Sequence, residues 1–182
     1  EKSYLKALSI RKEIGDKNGI SSVYNNLGNL SKLLGDYTKS TEYLESAIST
    51  LPNEENTLLL KSKIYNNLGN VYKQSGNYEK AVYSYEKSLE IKTLLKDELG
   101  QGTAMTNIGS LYTELDNFEK AKENLTKSLI IFRKLEEKYL EAICLINVGS
   151  LHFLEGKLST ALSNFDNALE LKSELDDQNL AL

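Results

Sequence analysis

A five-residue phrase recurs four times along the chain, as NNLGN at 25–29, NNLGN at 66–70, TNIGS at 106–110 and INVGS at 146–150. Its glycines, Gly28, Gly69, Gly109 and Gly149, stand 41, 40 and 40 residues apart. A fixed period of this length marks a chain built by stacking one supersecondary unit. Each unit of such an array buries its core against its neighbours, so length counts units rather than domains. The 182 residues therefore read as a single array.

The units read as helical. Proline occurs once, at Pro52, helix formers dominate, and β-branched runs with alternating pattern are absent. Turns are marked by LLGDY (33–37), QSGNY (74–78), ELDNF (114–118) and LEGKL (154–158). In them Gly35, Gly76 and Gly156 suit the left-handed residue that ends a helix, with Asp116 in that place once, and Asp36, Asn77 and Asn117 suit the next N-cap. The pattern predicts first helices at 18–34, 56–75, 98–115 and 138–155, and second helices at 37–51, 78–95, 118–135 and 158–175. Four repeats result, at 18–52, 56–95, 98–135 and 138–175. Residues 1–15 match a second helix, and 176–182 match the opening of another first helix. Both ends thus fall inside a repeat, the expectation for an excerpt of a longer protein.

Glycine inside a helix costs roughly 1 kcal/mol relative to alanine, so four at one position need a reason. Close helix approach is the expected one. Twelve residues after each glycine stands a small residue, Ser40, Ala81, Ala121 or Ala161, and seven later another, Ala47, Ser88, Ser128 or Ala168. Larger residues fall around these at helical spacing: Tyr24, Leu27, Leu44 and Ile48; Tyr65, Leu68, Tyr72, Tyr85 and Leu89; Met105, Ile108, Tyr112, Leu125 and Leu129; Leu145, Val148, Phe165 and Leu169. They are the expected core.

Composition excludes several functions. With 26% charged residues, a net charge of −4 and lysines interleaved with acids, the sequence has no basic patch for nucleic acid. No apolar run reaches the roughly 18–20 residues that span a bilayer, and the N-terminus lacks signal-peptide regions. Cytoplasmic residence is the corresponding expectation, with a targeting segment free to lie outside the excerpt. Cys144 is the single cysteine, which excludes an internal disulfide and a CxxC site, and its repeat equivalents Val23, Ile64 and Ala104 point to packing. His152, the single histidine, falls at a core aromatic position. Eight residues separate it from Cys144, about 12 Å along a helix, too far for a dyad. No phosphate loop, GxSxG, HExxH or calcium-loop phrase occurs. Neither an enzyme nor a cofactor is expected.

The units resemble the tetratricopeptide repeat, whose pattern runs large residue, Leu-Gly, aromatic, and later Ala, aromatic, Ala and Pro. Those positions are Tyr24, Leu27-Gly28, Ser31, Ser40, Leu44, Ala47 and Pro52 in one unit, and Tyr65, Leu68-Gly69, Tyr72, Ala81, Tyr85, Ser88 and Thr93 in the next. The family's Trp is missing, and Ser31 and His152 depart at the aromatic position. The longer period is similar to that of partner-of-inscuteable-type adaptors, kinesin light chains and bacterial signalling arrays. The resemblance implies an all-α, right-handed superhelical solenoid of antiparallel helix pairs. It also implies a protein or peptide partner, without cofactor, metal, nucleic acid or membrane insertion.

In this family the first helices line the concave face, and the positions two before and one after the glycine point into the groove. The first is asparagine in every unit, Asn26, Asn67, Asn107 and Asn147, a ladder of amides able to hold a peptide main chain. The second adds Asn29, Asn70, Ser110 and Ser150, and the position three before the glycine adds Asn25, Asn66, Thr106 and Ile146. The family also uses such asparagines to bridge successive repeats through backbone hydrogen bonds, and both readings stand, ligand contact being the preferred one. Lys32, Lys63 and Lys73 suit an acidic segment, Ile143 and Phe153 an apolar anchor. Related domains that grip a terminal carboxylate use two asparagines, matched by Asn29 and Asn67, and three cations. Asn25, Thr103 and Asn107 stand in the cations' places, which argues against a chaperone co-factor. The alternative to a peptide-binding scaffold is a self-association or regulatory module of a larger signalling protein, forming homo-oligomers through open repeat ends.

Overall fold

A computed structural model describes the backbone of residues 2–180 and the side chains through residue 175. The chain divides into two compact units, Glu1–Lys96 and Asp97–Leu182. The first holds α1 (Lys2–Glu13), α2 (Lys17–Leu33), α3 (Tyr37–Thr50), a 3-10 turn (Glu55–Thr57), α4 (Leu58–Gln74) and α5 (Tyr78–Leu94). The second holds α6 (Glu98–Glu114), α7 (Phe118–Lys134), α8 (Lys138–Leu154) and α9 (Leu158–Leu180). No strand occurs among the described residues. The predicted helices are present within a few residues of their expected bounds, except that α9 runs unbroken to Leu180. The expected further repeat at 176–182 rests on side chains outside the described residues.

The long period has a simple origin. Six of the helices, α2 and α4 to α8, have 17 residues, and between successive members of the run from α4 to α9 stands a three-residue turn. The middle turn residue is left-handed: Gly76, Lys96, Asp116, Glu136 and Gly156 all have positive φ, as do Gly15 and Gly35. The last turn residue is the N-cap, and the Asp16, Asp36, Asn77, Asp97 and Asn117 side chains accept from the amide three residues on. Helix and turn repeat every 20 positions, so a pair takes 40.

One junction breaks the rule. Proline disfavours helical backbone in the residue before it, and Leu51 ahead of Pro52 is extended, with φ −71° and ψ 130°. Helix α3 stops at 14 residues. Buried Thr57 then closes the connection, its Oγ1 donating to the carbonyls of Pro52 at 2.9 Å and Glu54 at 2.7 Å. This irregular join accounts for the one spacing of 41.

Helices pack in the consecutive pairs α2–α3, α4–α5, α6–α7 and α8–α9. The hydrogen bonds from Ser40 Oγ to the Gly28 carbonyl (2.7 Å) and from Ser21 Oγ to the Ala47 carbonyl (2.8 Å) make α2 and α3 antiparallel, because the earlier residue of one helix meets the later residue of the other. The second crossing recurs as Ser88 Oγ to Ser62 O (2.9 Å) and Ser128 Oγ to Gly102 O (2.8 Å). In α8 and α9 it becomes an apolar contact of Ala142 and Ala168.

The repeated glycine has a more specific reason than small-on-small packing. A Cβ on Gly28 would lie 2.6 Å from Leu44 Cγ, and one on Gly109 the same distance from Leu125 Cγ. On Gly69 it would lie 2.5 Å from the Tyr85 ring, and on Gly149 2.5 Å from the Phe165 ring. Each glycine makes room for the large residue sixteen positions on, which then fills the pair's interior. Leu27, Leu44, Ile64, Tyr85, Leu125 and Phe132 are among the buried side chains. Leu169, expected in the core, is instead 67% exposed. Its equivalent Leu129 packs against α8, whereas no following helix covers α9 among the described residues.

Candidate partner-binding faces

In the first unit the first helices α2 and α4 lie side by side. Asn67 Nδ2 donates to Asn25 Oδ1 at 2.8 Å, so two candidate groove residues bridge successive repeats. The bridge runs side chain to side chain, where the expectation was a bond to the backbone. The amide keeps a second N–H to offer a ligand. Asn26 is exposed on the same surface, and Lys63 is exposed on α4. Asn25, Asn66, Lys32 and Lys73 are half-buried.

The position after the glycine behaves differently in the two repeats. Asn70 Oδ1 accepts from the Tyr85 hydroxyl at 2.7 Å. Asn29 Oδ1 is buried without a partner. The cause lies in α3, where the residue equivalent to Tyr85 is Leu44, which brings no hydroxyl. Repeats with no tyrosine there carry serine instead of asparagine, as in the pairs Ser110 with Leu125 and Ser150 with Phe165. Only the first repeat keeps the asparagine without its donor.

In the second unit the side chains turn partly upon their own helices. Asn147 Nδ2 donates to the Ile143 carbonyl at 2.9 Å, Thr103 Oγ1 to Leu99 O at 3.1 Å, and Ser150 Oγ to Ile146 O at 2.9 Å. Asn107 and Ser110 are half-buried. Thr106, expected on the face, is buried with its hydroxyl 2.6 Å from that of Ser128, because it sits at the small-residue crossing of α6 and α7. Ile146 and Phe153 are exposed, 49% and 57%, and supply apolar surface.

Of the two residues with catalytic potential, Cys144 packs in the core and half-buried His152 pairs with a carboxylate. Cys144 is buried, its Sγ lies 3.4 Å from the Leu125 carbonyl, and burial pushes the thiol up. His152 Nδ1 lies 2.9 Å from Glu155 Oε2. Lys157, and after it His152, holds the Glu155 carboxyl below its ordinary value. No group of metal-ligating side chains occurs among the described residues, and no described helix is long and apolar enough to cross a membrane.

Sequence reasoning missed a cavity of about 370 Å³ in the first unit, lined from α3, α4 and α5. The available signal was the contrast between repeats, since its tyrosines and acid have no counterparts at the same positions of the last repeat.

Family models described as tetratricopeptide repeat match residues 21–53, 62–92 and 100–174. A search of curated proteins finds no match. Among solved structures the chain is similar to BtubC (BKLC) from P. vanneervenii, with TM-score 0.81 and 23% identity over 95% of this chain and 72% of that one. It is similar to the apo form of RapI, with TM-score 0.86 and 22% identity over 99% of this chain and 65% of that one. A third is the Rap conjugation gene regulator of the plasmid pLS20, solved in complex with the Phr* peptide, with TM-score 0.74 and 18% identity over 84% of this chain and 43% of that one. The chain spans less than two thirds of the latter two.

Proposed function

Since the chain belongs to the tetratricopeptide repeat family, we propose that it is a non-catalytic protein-interaction domain. It holds an extended peptide or partner segment against the asparagine-bearing faces of its first helices. The observation that carries this reading is Asn26, exposed beside the Asn25–Asn67 bridge. An exposed amide offers a donor and an acceptor to a peptide main chain, while the bridged Asn67 is already oriented and loses less freedom on binding. The peptide present in the pLS20 regulator structure supports the same kind of ligand. Lys63 favours an acidic segment in the first unit, and Phe153 an apolar anchor in the second.

The test is partner capture from source-cell lysate with the chain and with Asn26→Ala, Asn67→Ala and Asn107→Ala, alone and combined, after matching helicity. A partner retained by the parent chain and lost with Asn26→Ala supports the reading. Capture that survives the combined variant overturns it.

A second reading is self-association as a regulatory module of a larger signalling protein. An apolar cavity of about 560 Å³ on α8 and α9, lined by Tyr139, Ala142, Ile146 and Leu175 among others, favours it. Under this reading Ile146→Glu abolishes a concentration-dependent dimer in sedimentation velocity, whereas Asn26→Ala leaves it intact.

A further inference from the structure

The cavity between α3, α4 and α5 opens on the side of α4 away from its asparagines. At 3.6 residues per turn, Tyr65, Leu68 and Tyr72 fall on one side of the helix and Asn66, Asn67 and Asn70 on the other. We propose that this cavity is a second docking site, which takes one aromatic side chain of a partner polypeptide.

Size, wall and rim each support that occupant. At about 370 Å³ the cavity is near the small end of ligand sites, which run roughly 300–1,000 Å³, and admits a side chain rather than a helix. Leu68 and Tyr72 are buried in its floor, and Tyr65 is half-buried. Tyr83 is 56% exposed at the rim. Three phenol rings offer faces and edges to an incoming ring, a match of quadrupoles that an aliphatic side chain does not make. The rim is charged on both sides. Glu45 on α3 accepts from the Tyr72 hydroxyl at 2.8 Å, which fixes its carboxylate, and Lys80 on α5 stands 5.4 Å over the Tyr72 ring. A peptide carrying the aromatic residue brings one N–H for the carboxylate and one carbonyl for the ammonium.

The fold itself does not require these residues. At the same repeat positions in α7, α8 and α9, Tyr65 is replaced by Leu145, Tyr72 by His152, Tyr83 by Ser163, Glu45 by Thr126 and Lys80 by Thr160. At the intervening repeat positions Glu86, Tyr112 and Lys120 recur, with Lys120 5.1 Å from the Tyr112 ring, while Met105 and Glu123 replace Tyr65 and Tyr83. It is therefore the added Tyr65 and Tyr83 rings that are particular to the first join and answer to something other than repeat stacking.

The probe is N-acetyl-L-phenylalaninamide, titrated into the uniformly 15N-labelled chain, with the leucine and arginine amides in parallel. Saturable amide shifts confined to the cavity residues are expected, with a dissociation constant on the order of millimolar for so small a ligand. Tyr83→Ala, and Ser49→Trp at the exposed mouth, each weaken binding at least about fivefold while helicity is kept. Asn26→Ala leaves it unchanged, which separates this site from the asparagine face. No saturable shift, a leucine or arginine amide that binds as tightly, or indifference to Tyr83→Ala overturns the proposal.

Discussion

Asn29 exposes how the repeat balances its polar residues. An asparagine after the conserved-spacing glycine is satisfied when a tyrosine stands fifteen residues on, as Asn70 is by Tyr85. Asn29 meets Leu44 instead and leaves a buried carbonyl oxygen without a donor. A buried unsatisfied acceptor costs about 1–3 kcal/mol, part of which is recovered when it is removed. Asn29→Ser reproduces the Ser110–Leu125 combination and is expected to raise stability by about 0.5–1 kcal/mol, read as a higher urea midpoint at unchanged slope. A lower midpoint would mean that the Asn29 amide does structural work the hydrogen-bond geometry does not account for. The glycines were legible as close-approach residues, and the small residue twelve positions on does lie against them, a Cβ on Gly28 or Gly109 standing 3.2 Å from the carbonyl oxygen of Ser40 or Ala121. What the sequence did not show is the large residue sixteen on, which comes nearer still.

Turns are the element on which the period depends. Each combines a left-handed residue with a following N-cap, a unit of local chemistry that a linear reading recovers well. Lys96, Asp116 and Glu136 hold the left-handed position without being glycine, with φ of 54°, 55° and 57°. An L side chain there costs roughly 1–2 kcal/mol, partly offset by the greater unfolded freedom of glycine. Lys96→Gly, Asp116→Gly and Glu136→Gly are each expected to stabilise by a few tenths to about 1 kcal/mol, and thermal denaturation of the triple variant reads the sum. A fall in melting temperature would sink the account. Asp116 was recognisable because Asn117 follows it, whereas Lys96 and Glu136 were hidden among charged residues whose place only the backbone dihedral reveals.

Across the molecule, two of the eleven tyrosines, Tyr65 and Tyr72, carry phenols shifted by their surroundings. Burial, then the hydrogen bond to Glu45, pushes Tyr72 well above the usual tyrosine value, and burial, then the neighbouring Tyr83, pushes Tyr65 up. A phenol with a raised folded pKa contributes stability that is full below the unfolded value near 10 and is lost as pH climbs through the folded value. Alkaline titration at 295 nm is therefore expected to leave Tyr65 and Tyr72 un-ionised until the first unit unfolds. Tyr72→Phe should remove part of that late absorbance step. Ionisation of Tyr65 and Tyr72 near pH 10, with helicity retained, would contradict the burial and the Glu45 contact.

The sequence by itself determined the helical class, the pairing of helices, the 20-residue step and the family, because all of these are set by local preferences repeated four times over. A cap reads its own amide, and a glycine recurs wherever the next helix crosses. Only the tertiary structure decided which asparagine amides are spent inside the protein, since Asn67 meets Asn25 from 42 residues away. It alone brought Glu45, Tyr72 and Tyr83 from three helices around one cavity. Such groupings depend on how distant side chains are juxtaposed to within a hydrogen-bond length, a quantity that periodicity leaves open.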